Sequence, residues 1–303
     1  MRRATLANTL ILAAFLFGLV GPVAAQEAKD ADTKADSKKG GGDLTTAATN
    51  PVGALIQVQF QDLYIPNSDN SSGYANTGII QPVVPIHLGE DNYFQGIVTR
   101  TTIPIVTTPK VAGNRETGMG DITSIAALTH TTPTHAHLMG NVKADFFTWA
   151  PVGAVVLPTA SKDETGADVW QLGPGLLALT NLHFPSGDNV MLGALAYHLW
   201  NVEDDDPDIS KTFAQPVIVY KFNSLFDQKG WYIRNPDDLW SYDWKEDEFD
   251  QIPVGAFLGR VFPIGKQPVN VFAGGWYNPV SSDKGATADY AFKLSFSFLF
   301  PVK

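Results

Sequence analysis

Apolar and polar residues alternate with a period of two along most of the chain after residue 50. Between residues 290 and 300 one side of this ribbon carries only large apolar residues, whereas the other carries Lys293, Ser295 and Ser297. Such an apolar face is long for a strand of a soluble sandwich. It suits a lipid-facing strand, which needs about 9 to 11 residues when it is tilted in a bilayer. The C-terminal segment therefore predicts a transmembrane β-strand.

Similar ribbons recur along the chain. The first places Ile56, Val58 and Phe60 opposite Gln57, Gln59 and Gln61. Further ribbons cover residues 74–87, 92–106, 117–129, 138–157, 169–182, 189–202, 212–223, 229–242, 251–263, 268–277 and 287–300. We predict an all-β chain that forms a single antiparallel transmembrane β-barrel of about 12 strands.

The connections between these ribbons alternate in length. Short ones fall near residues 88–91, 183–188, 223–228 and 264–267; longer ones fall near 64–73, 107–116, 159–168, 203–210 and 243–250. Outer-membrane barrels have short periplasmic turns and longer outer loops, and an even strand count leaves both termini in the periplasm. We expect that arrangement here. The connection from His130 to His137 departs from it, since it is long on the side of the short turns.

The N-terminal segment differs in composition from the rest. Residues 1–25 combine Arg2 and Arg3, an apolar stretch and a small-residue site at Ala24 and Ala25, which is the pattern of a cleaved signal peptide. Residues 26–50 have almost no large apolar side chains, so we predict a disordered periplasmic tether. A transient helix is the alternative for this tether. The barrel is assigned to residues 51–303, and the signal predicts export to the cell outer membrane.

Composition narrows the function. The 303 residues include no cysteine, which excludes disulfides and thiolate metal sites, and a net charge of -10 argues against nucleic acid as a partner. Only 17% of residues are charged, fewer than in typical soluble chains. The tryptophans fall mostly near predicted strand ends, as in the aromatic girdles of membrane barrels: Trp149, Trp170, Trp200, Trp231, Trp240, Trp244 and Trp276. A secreted lipocalin-like or jelly-roll protein is the structural rival.

Motifs for chemistry are scarce. The Gly118–Asp121 segment is interpreted as a turn in which Asp121 bonds nearby N–H groups. His130, His135 and His137 have a spacing that could bind a transition metal, but the intervening Pro133 and threonines favour a flexible turn. The acidic runs 203–206 and 246–250 are interpreted as solvated loops. We therefore predict no enzymatic activity, no metal and no cofactor.

Charged residues on the strands are candidates for the lumen. Arg100, Lys143, Asp145 and Lys293 each fall on a ribbon face opposite an apolar one. Lys or Arg on the lipid face at mid-depth would cost about 2 to 4 kcal/mol, so we predict that these four side chains point inward. Two roles stay open for them, a structural network that plugs a narrow barrel and contact with a passing solute.

Several stretches together resemble one bacterial outer-membrane barrel family, the group named for the MetA pathway of phenol degradation and sometimes mislabelled neuromedin-U-like. They run in order through residues 50 to 303: NPVGALIQVQFQ, IQPVVPI, VTRTTIPI, GMGDI, PVGAVVLPTA, WQLGPG, ALAYHLW, FAQP, SYDWK, IPV and GKQPV. The resemblance implies an outer-membrane channel or transporter, with aromatic or other hydrophobic substrates. The chain departs from the family in loops, at residues 161–168, 223–230 and 233–239.

Three hypotheses follow. The leading one is a channel embedded in the outer-membrane bilayer that lets small hydrophobic or aromatic molecules cross by passive diffusion. The alternative is a structural or surface-binding barrel with a plugged lumen and no transport. The third is an outer-membrane hydrolase, for which His198, beside Trp200, is the only strand histidine worth considering.

Overall fold

A computed structural model of the chain describes residues 40–53, 55–68, 71–110, 113–134, 141–202, 208–280 and 288–301. One helix, α1 (Gly40–Thr49), precedes the strands. The strands are β1 (Leu55–Ser68), β2 (Ala75–His87), β3 (Gly96–Thr107), β4 (Thr117–Met119), β5 (Ile122–Pro133), β6 (Lys143–Leu157), β7 (Gln171–His183), β8 (Asn189–Asn201), β9 (Ser210–Lys221), β10 (Trp231–Arg234), β11 (Trp240–Asp243), β12 (Glu248–Gln251), β13 (Val254–Ile264), β14 (Gln267–Tyr277) and β15 (Ala288–Pro301).

The sheet closes on itself because the first strand pairs with the last. β1 and β15 run antiparallel, and Leu55 lies opposite Pro301. Three wall strands are each broken into two segments: β4 with β5, β10 with β11, and β12 with β13. The result is a closed 12-strand antiparallel barrel, which confirms the predicted fold class and strand number.

The connections follow the predicted length pattern only in part. Residues 158–170 form a long connection and residues 265–266 a very short one, as expected for opposite ends of the barrel. The predicted long loop at 243–250 is wrong, because Glu248–Gln251 pairs with β11 and leaves only residues 244–247 as a turn. Asp247 in this turn has a positive φ of 57°. On the side where β1 begins and β15 ends, the connection 222–230 is longer than the short turn predicted at 223–228. The connection between Pro133 and Lys143 is long, as the sequence indicates for this departure from the pattern.

Apolar side chains cover the outside of the barrel and polar ones occupy much of the inside. On β15, Phe292 and Leu294 are each 55% exposed, whereas Lys293, Ser295 and Ser297 between and beyond them are buried. On β1, Phe60 is exposed while Gln57 and Gln61 are buried. This distribution is the reverse of a soluble protein's and is typical of a lipid-facing wall.

Aromatic residues cluster towards the two ends of the outer surface. One group lies at the end of the barrel where β1 ends and β2 begins and consists of Tyr64, Tyr74, Trp200, Trp244, Tyr277 and Tyr290; we call it the distal girdle. The other lies at the opposite end, where β1 begins and β15 ends, and includes Tyr93, Trp149, Tyr220, Phe226 and Trp231. Trp276 corrects the sequence-based expectation, since it is 5% exposed and belongs to the interior cluster.

Asp121, in the break between β4 and β5, fastens the 158–170 connection to the rim. Asp121 accepts four backbone hydrogen bonds of 2.7 to 3.0 Å, from the N–H groups of Thr159, Ala160, Ala167 and Asp168. Gly166 passes so close that a Cβ there would lie 2.5 Å from the Asp121 carboxylate. The predicted acceptor role of Asp121 is therefore confirmed, but the donors belong to a distant connection, and Gly118 and Met119 form part of β4 and not of a turn.

The N-terminal segment differs from the predicted tether. Residues 1–25 and 26–39 lie outside the described part of the chain. Residues 40–49 form α1 instead of a disordered segment, because Ala47 and Ala48 pack against the interior cluster of the barrel. No helix in the described ranges is long and apolar enough to cross a bilayer.

Candidate functional site

One side of the lumen is lined by a ladder of amide side chains. On β1, Gln61 Nε2 donates to Gln59 Oε1 over 3.0 Å, and Gln59 Nε2 donates to Gln57 Oε1 over 3.1 Å. Gln61 also reaches Gln81 on β2 at 3.3 Å, and Gln81 donates to Thr102 on β3 at 2.7 Å. The period of two places these side chains on one face, so adjacent strands build a continuous hydrogen-bonded surface, here called the amide wall.

The inner face of strands β5 to β8 is mainly apolar, with Thr129, Thr148 and Asn181 as buried polar exceptions. Its buried side chains form one cluster that contains Ile125, Ala127, Ala150, Val152, Ala154, Val156, Leu177, Leu179, Leu195, Tyr197 and Leu199. We call this surface the apolar wall. Most of these residues are less than 6% exposed, so they pack closely against one another.

A short segment between β10 and β11 turns inward and carries two carboxylates into the lumen. The inward segment begins at Asn235, whose side chain bonds the backbone of β9. Asn235 Oδ1 accepts from Ile218 N–H at 2.8 Å, and Asn235 Nδ2 donates to Pro216 O at 2.9 Å. Buried side chains are even-numbered on β10 and odd-numbered on β11, so the side-chain alternation shifts across residues 235–239. Pro236 cannot donate to a ladder, which favours this break.

The two carboxylates meet Lys293 of β15. Lys293 Nζ lies 2.9 Å from Asp237 Oδ1 and 2.7 Å from Asp238 Oδ1, and the side chain of Lys293 is only 3% exposed. Arg234 Nη2 lies 3.7 Å from Asp237 Oδ2. Asp238 Oδ2 has no hydrogen-bond partner among the described residues. The charges largely compensate one another, as buried ions require.

A cavity of about 250 Å³ lies between the amide wall and the apolar side of the lumen. Gln61, Gln81, Arg100 and Thr102 line one side of it. Ile79 lies beside Gln61 on this same side. The other side is formed by Ile125, Tyr197, Phe213 and Leu239, and the inward carboxylates close one edge. Such a cavity suits a molecule with an apolar body and a polar edge, since roughly 150 Å³ of apolar space holds a benzene ring.

Arg100 separates this cavity from a smaller one. Its Nη1 donates to Gln215 Oε1 of β9 over 2.9 Å, across a sequence separation of 115 residues. Arg100 and Gln81 line both the cavity of about 250 Å³ and a second cavity of about 50 Å³. The lining of the second cavity also includes Ala48 and Thr49 of α1. The Arg100–Gln215 contact therefore forms a constriction along the lumen.

The helix α1 narrows the end of the lumen where β1 begins. Lys221 Nζ of β9 donates to Thr46 Oγ1 at 3.2 Å and to Asn181 Oδ1 at 2.5 Å. Gln57 Nε2 donates to the Ala48 carbonyl at 3.2 Å. Asn181 in turn donates to Asp145 Oδ2 at 2.8 Å. These polar contacts tie the helix to the barrel from two sides.

The structure separates the four predicted lumen residues into three groups. Arg100 and Lys293 line the cavity of about 250 Å³. Asp145 lies at the end near α1, where its carboxylate contacts Asn181 and, at 2.5 Å, His183 Nε2. Lys143, the first residue of β6, is exposed and lines neither lumen cavity within the described part of the chain.

The sequence did not single out Asp237, Asp238 or the glutamines as functional groups. The signal for the inward segment is Pro236 inside a stretch that otherwise alternates, together with the extra length noted at 233–239. The signal for the amide wall is the spacing of Gln57, Gln59 and Gln61, which alternation alone identifies as one face. The contact partners of these residues lie far away in sequence and follow only from strand order.

The predicted metal alternatives receive no support within the described residues. No group of three or more His, Asp or Glu side chains there could hold a metal ion. His135, His137 and the 203–207 stretch lie outside the described ranges. His130 stacks on Tyr93 with ring centroids 4.4 Å apart, beside Trp149.

Comparison with known proteins finds similarity in fold. No family model matches the chain, and a search of curated proteins finds no match. Among solved structures, an outer membrane channel from Pseudomonas putida F1 aligns over 90% of this chain and 100% of its own, with 13% identity and a TM-score of 0.51. Outer membrane phospholipase A from Escherichia coli aligns over 81% of this chain and 95% of its own, with 10% identity and a TM-score of 0.42. At these identities the likeness concerns the fold alone.

Proposed function

We propose that this chain is an outer-membrane channel through which small, largely apolar or aromatic molecules diffuse passively. The observation that carries the proposal is the cavity between the amide wall and apolar side chains, inside a barrel whose outer surface is apolar. The apolar exterior and two aromatic groups favour a bilayer as the surrounding medium. The amide wall offers donors and acceptors to a polar edge, and Tyr197, Phe213 and Leu239 offer an apolar surface to a ring.

Two features of the lumen favour slow, selective passage over general porin flow. The Arg100–Gln215 contact crosses the lumen, and α1 narrows the end of the lumen where β1 begins. Rearrangement of one side-chain contact opens the first constriction, whereas the second needs a displacement of the helix. Passive diffusion down a gradient requires no cofactor, and the proposal includes none.

The first test places the protein in its membrane and then measures passage. The outer-membrane fraction of an expressing Gram-negative cell is run on a gel with and without boiling, and a heat-modifiable band is expected from a folded barrel. Purified protein in liposomes is then tested for uptake of a small aromatic solute and of a sugar of similar size. Faster aromatic uptake is expected, while protein-independent uptake of both solutes contradicts the proposal.

The alternative function is a barrel with a permanently plugged lumen, favoured by the buried Asp237–Lys293–Asp238 cluster and by α1. Arg100→Ala separates the two functions, because it removes the Arg100–Gln215 contact. A channel then shows faster solute uptake. A plugged barrel shows lower stability with no uptake in either form.

A further inference from the structure

On the outer surface of the barrel, His198 contacts two hydroxyl groups of the neighbouring strand. Its Nε2 lies 3.2 Å from Ser210 Oγ, and its Nδ1 lies 2.8 Å from Thr212 Oγ1. In the β8–β9 register, His198 pairs with Thr212 and Trp200 pairs with Ser210. The imidazole therefore bridges two hydroxyls that follow each other on one face of β9.

The surrounding hydrogen bonds are compatible with one orientation of the imidazole protons. Trp244 Nε1 donates to Thr212 Oγ1 at 2.8 Å, so this oxygen serves as an acceptor. The second lone pair of Thr212 Oγ1 can accept a hydrogen bond from the N–H of His198 Nδ1. Nε2 is then free to accept the Ser210 O–H. A nucleophile, a base and a group that orients the base thus lie within hydrogen-bond reach of each other, as hydroxyl-based acyl transfer requires.

The position of these groups points to the substrate class. Buried residues of β8 are odd-numbered, so His198 faces outward. The ring centroid of His198 lies 4.2 Å from that of Trp200 and 6.4 Å from that of Trp244, and both tryptophans belong to the distal girdle. Trp200 is 47% and Trp244 is 59% exposed. Interfacial aromatic girdles lie at the headgroup level of a bilayer, which is also the depth of the acyl ester bonds of lipids.

We infer that Ser210, His198 and Thr212 form a hydrolytic site on the outside of the barrel that cleaves acyl esters of membrane lipids. Ser210 Oγ attacks the ester carbonyl carbon while its proton moves to His198 Nε2. The C–O bond to the lipid alcohol breaks, and the alcohol leaves with that proton. Water then attacks the acyl-serine ester, His198 takes the water's proton, and the proton returns to Ser210 as the fatty acid departs. Ester and water are consumed, and alcohol and acid are formed.

Ser210 and His198 are the catalytic residues in this site, and Thr212 is a positioning residue. The site shares no residue with the lumen cavities. Hydrolysis and solute passage are therefore separable, and the inference stands independently of the proposed channel.

The test uses the full barrel, folded in mixed micelles of detergent and phosphatidylethanolamine, with release of fatty acid as the readout. Wild type is expected to release fatty acid, and Ser210→Ala and His198→Ala to lower the rate about 100-fold or more. Ser124→Ala is the matched control, because Ser124 lies on β5 and its hydroxyl bonds a threonine, Thr101 at 3.1 Å, instead of an imidazole. A heat-modifiable band confirms that each variant is folded.

A second readout does not depend on the choice of lipid. A fluorophosphonate probe is expected to add one covalent group at Ser210 in wild type, found by peptide mass spectrometry, and none in His198→Ala. Thr212→Val is expected to narrow the pH range of activity, with recovery in Thr212→Ser, which keeps the hydroxyl. Folded wild type that releases no fatty acid and gains no probe at Ser210 overturns the inference, as does equal activity in wild type and Ser210→Ala.

Discussion

The two sides of the lumen are lined by different kinds of side chain, one held by hydrogen bonds and the other by apolar packing. The amide wall on β1, β2 and β3 consists of long polar side chains that bond one another laterally, such as Gln59, Gln61 and Gln81. The apolar wall on β5 to β8 consists of aliphatic side chains in close contact, such as Leu177 and Leu195. The comparison teaches that the cavity takes its polar groups mainly from the amide wall and from Asp237, Asp238 and Lys293, whereas the apolar wall gives support by packing.

The difference also predicts how each side responds to change. A hydrogen-bonded glutamine can exchange its partner for a solute or for water, because each amide keeps spare donors and acceptors. An aliphatic cluster has no such exchange, and a lost side chain leaves a cavity. We therefore expect the amide wall to control passage and the apolar wall to control stability.

The largest loss of stability is expected at the buried ionic cluster of Asp237, Asp238 and Lys293. Lys293→Met removes the cation that lies between Asp237 and Asp238, which leaves two carboxylates buried without their main partner. The free energy of unfolding should fall by about 3 to 5 kcal/mol. Urea unfolding in detergent, followed by the heat-modifiable band, measures it.

The matched control for that substitution is Lys143→Met, since Lys143 is exposed at the start of β6. It should change the free energy of unfolding by about 0.5 kcal/mol or less. A variant that also carries Asp238→Asn should recover part of the loss, because Asp237 then keeps Arg234 as its partner and no unpaired carboxylate remains. Equal effects of the two lysine substitutions would show that the cluster is not buried.

A loss of similar or smaller size is expected on the apolar wall. Leu177→Ala removes a side chain that is 3% exposed, and the free energy of unfolding should fall by about 2 to 5 kcal/mol. Leu176→Ala is the control, since Leu176 is 54% exposed on the opposite face of the same strand and should give a much smaller loss. The same urea titration compares them. If Leu176→Ala is the more damaging change, the assignment of the inner and outer faces is incorrect.

A smaller effect on stability, but a larger one on passage, is expected on the amide wall. Gln61→Leu removes the donor to Gln59 and Gln81, and both can recover partners from water in the two adjacent cavities, since Gln81 lines both and Gln59 lines the smaller one. The free energy of unfolding should fall by about 1 kcal/mol. Liposome uptake should shift towards more apolar solutes. Unchanged solute preference would separate this wall from the path of the solute.

The smallest effect concerns the turn that joins β7 and β8 of the apolar wall. The N–H of Asn223 and the hydroxyl of Ser186 donate to Asp188 and hold its pKa below the usual value, with a further bond from Tyr220. Because the folded-state pKa is lowered, the stabilisation is present above the unfolded pKa of about 3.9 and is lost as pH falls through the folded pKa. Asp188→Asn should lower the free energy of unfolding by about 1 kcal/mol or less at pH 7, since the carboxylate is largely exposed. Urea titrations at pH 7 and pH 3 should show the difference between wild type and variant shrinking at pH 3; an equal difference at both values contradicts this assignment.

Alternation in the sequence was enough to predict the barrel and the assignment of its faces. The period of two sorted Phe292 from Lys293 and Phe60 from Gln61, because lipid and lumen lie on opposite sides of every strand. It predicted one strand over residues 229–242, which β10 and β11 together form, but it could not predict that the segment between them turns inward, because residues 235–239 leave the period of two. For the same reason Asp237 and Asp238 were missed while Lys293, on a regular strand, was found.

Local sequence also could not reveal contacts made by a separate element. The segment 40–49 reads as tether because it has few large apolar residues, yet Ala48 and Thr46 find partners on β1 and β9 inside the barrel. Trp276 was placed in a girdle from its position near a strand end, but the register of β14 turns it inward. Ser210 was not linked to His198, because the diagonal contact depends on the pairing of β8 with β9.

The central claim, that solute passes beside the amide wall, is tested most directly by a single thiol in the cavity. The chain has no cysteine, so Thr102→Cys creates its only thiol. Thr102 lines the cavity of about 250 Å³. Ser124→Cys is the control, because Ser124 lies on the outer face of the barrel. Conductance in planar bilayers is recorded before and after a methanethiosulfonate reagent that carries a bulky sulfonate. Loss of conductance in Thr102→Cys alone is predicted; complete labelling of Thr102→Cys with unchanged conductance would contradict the claim.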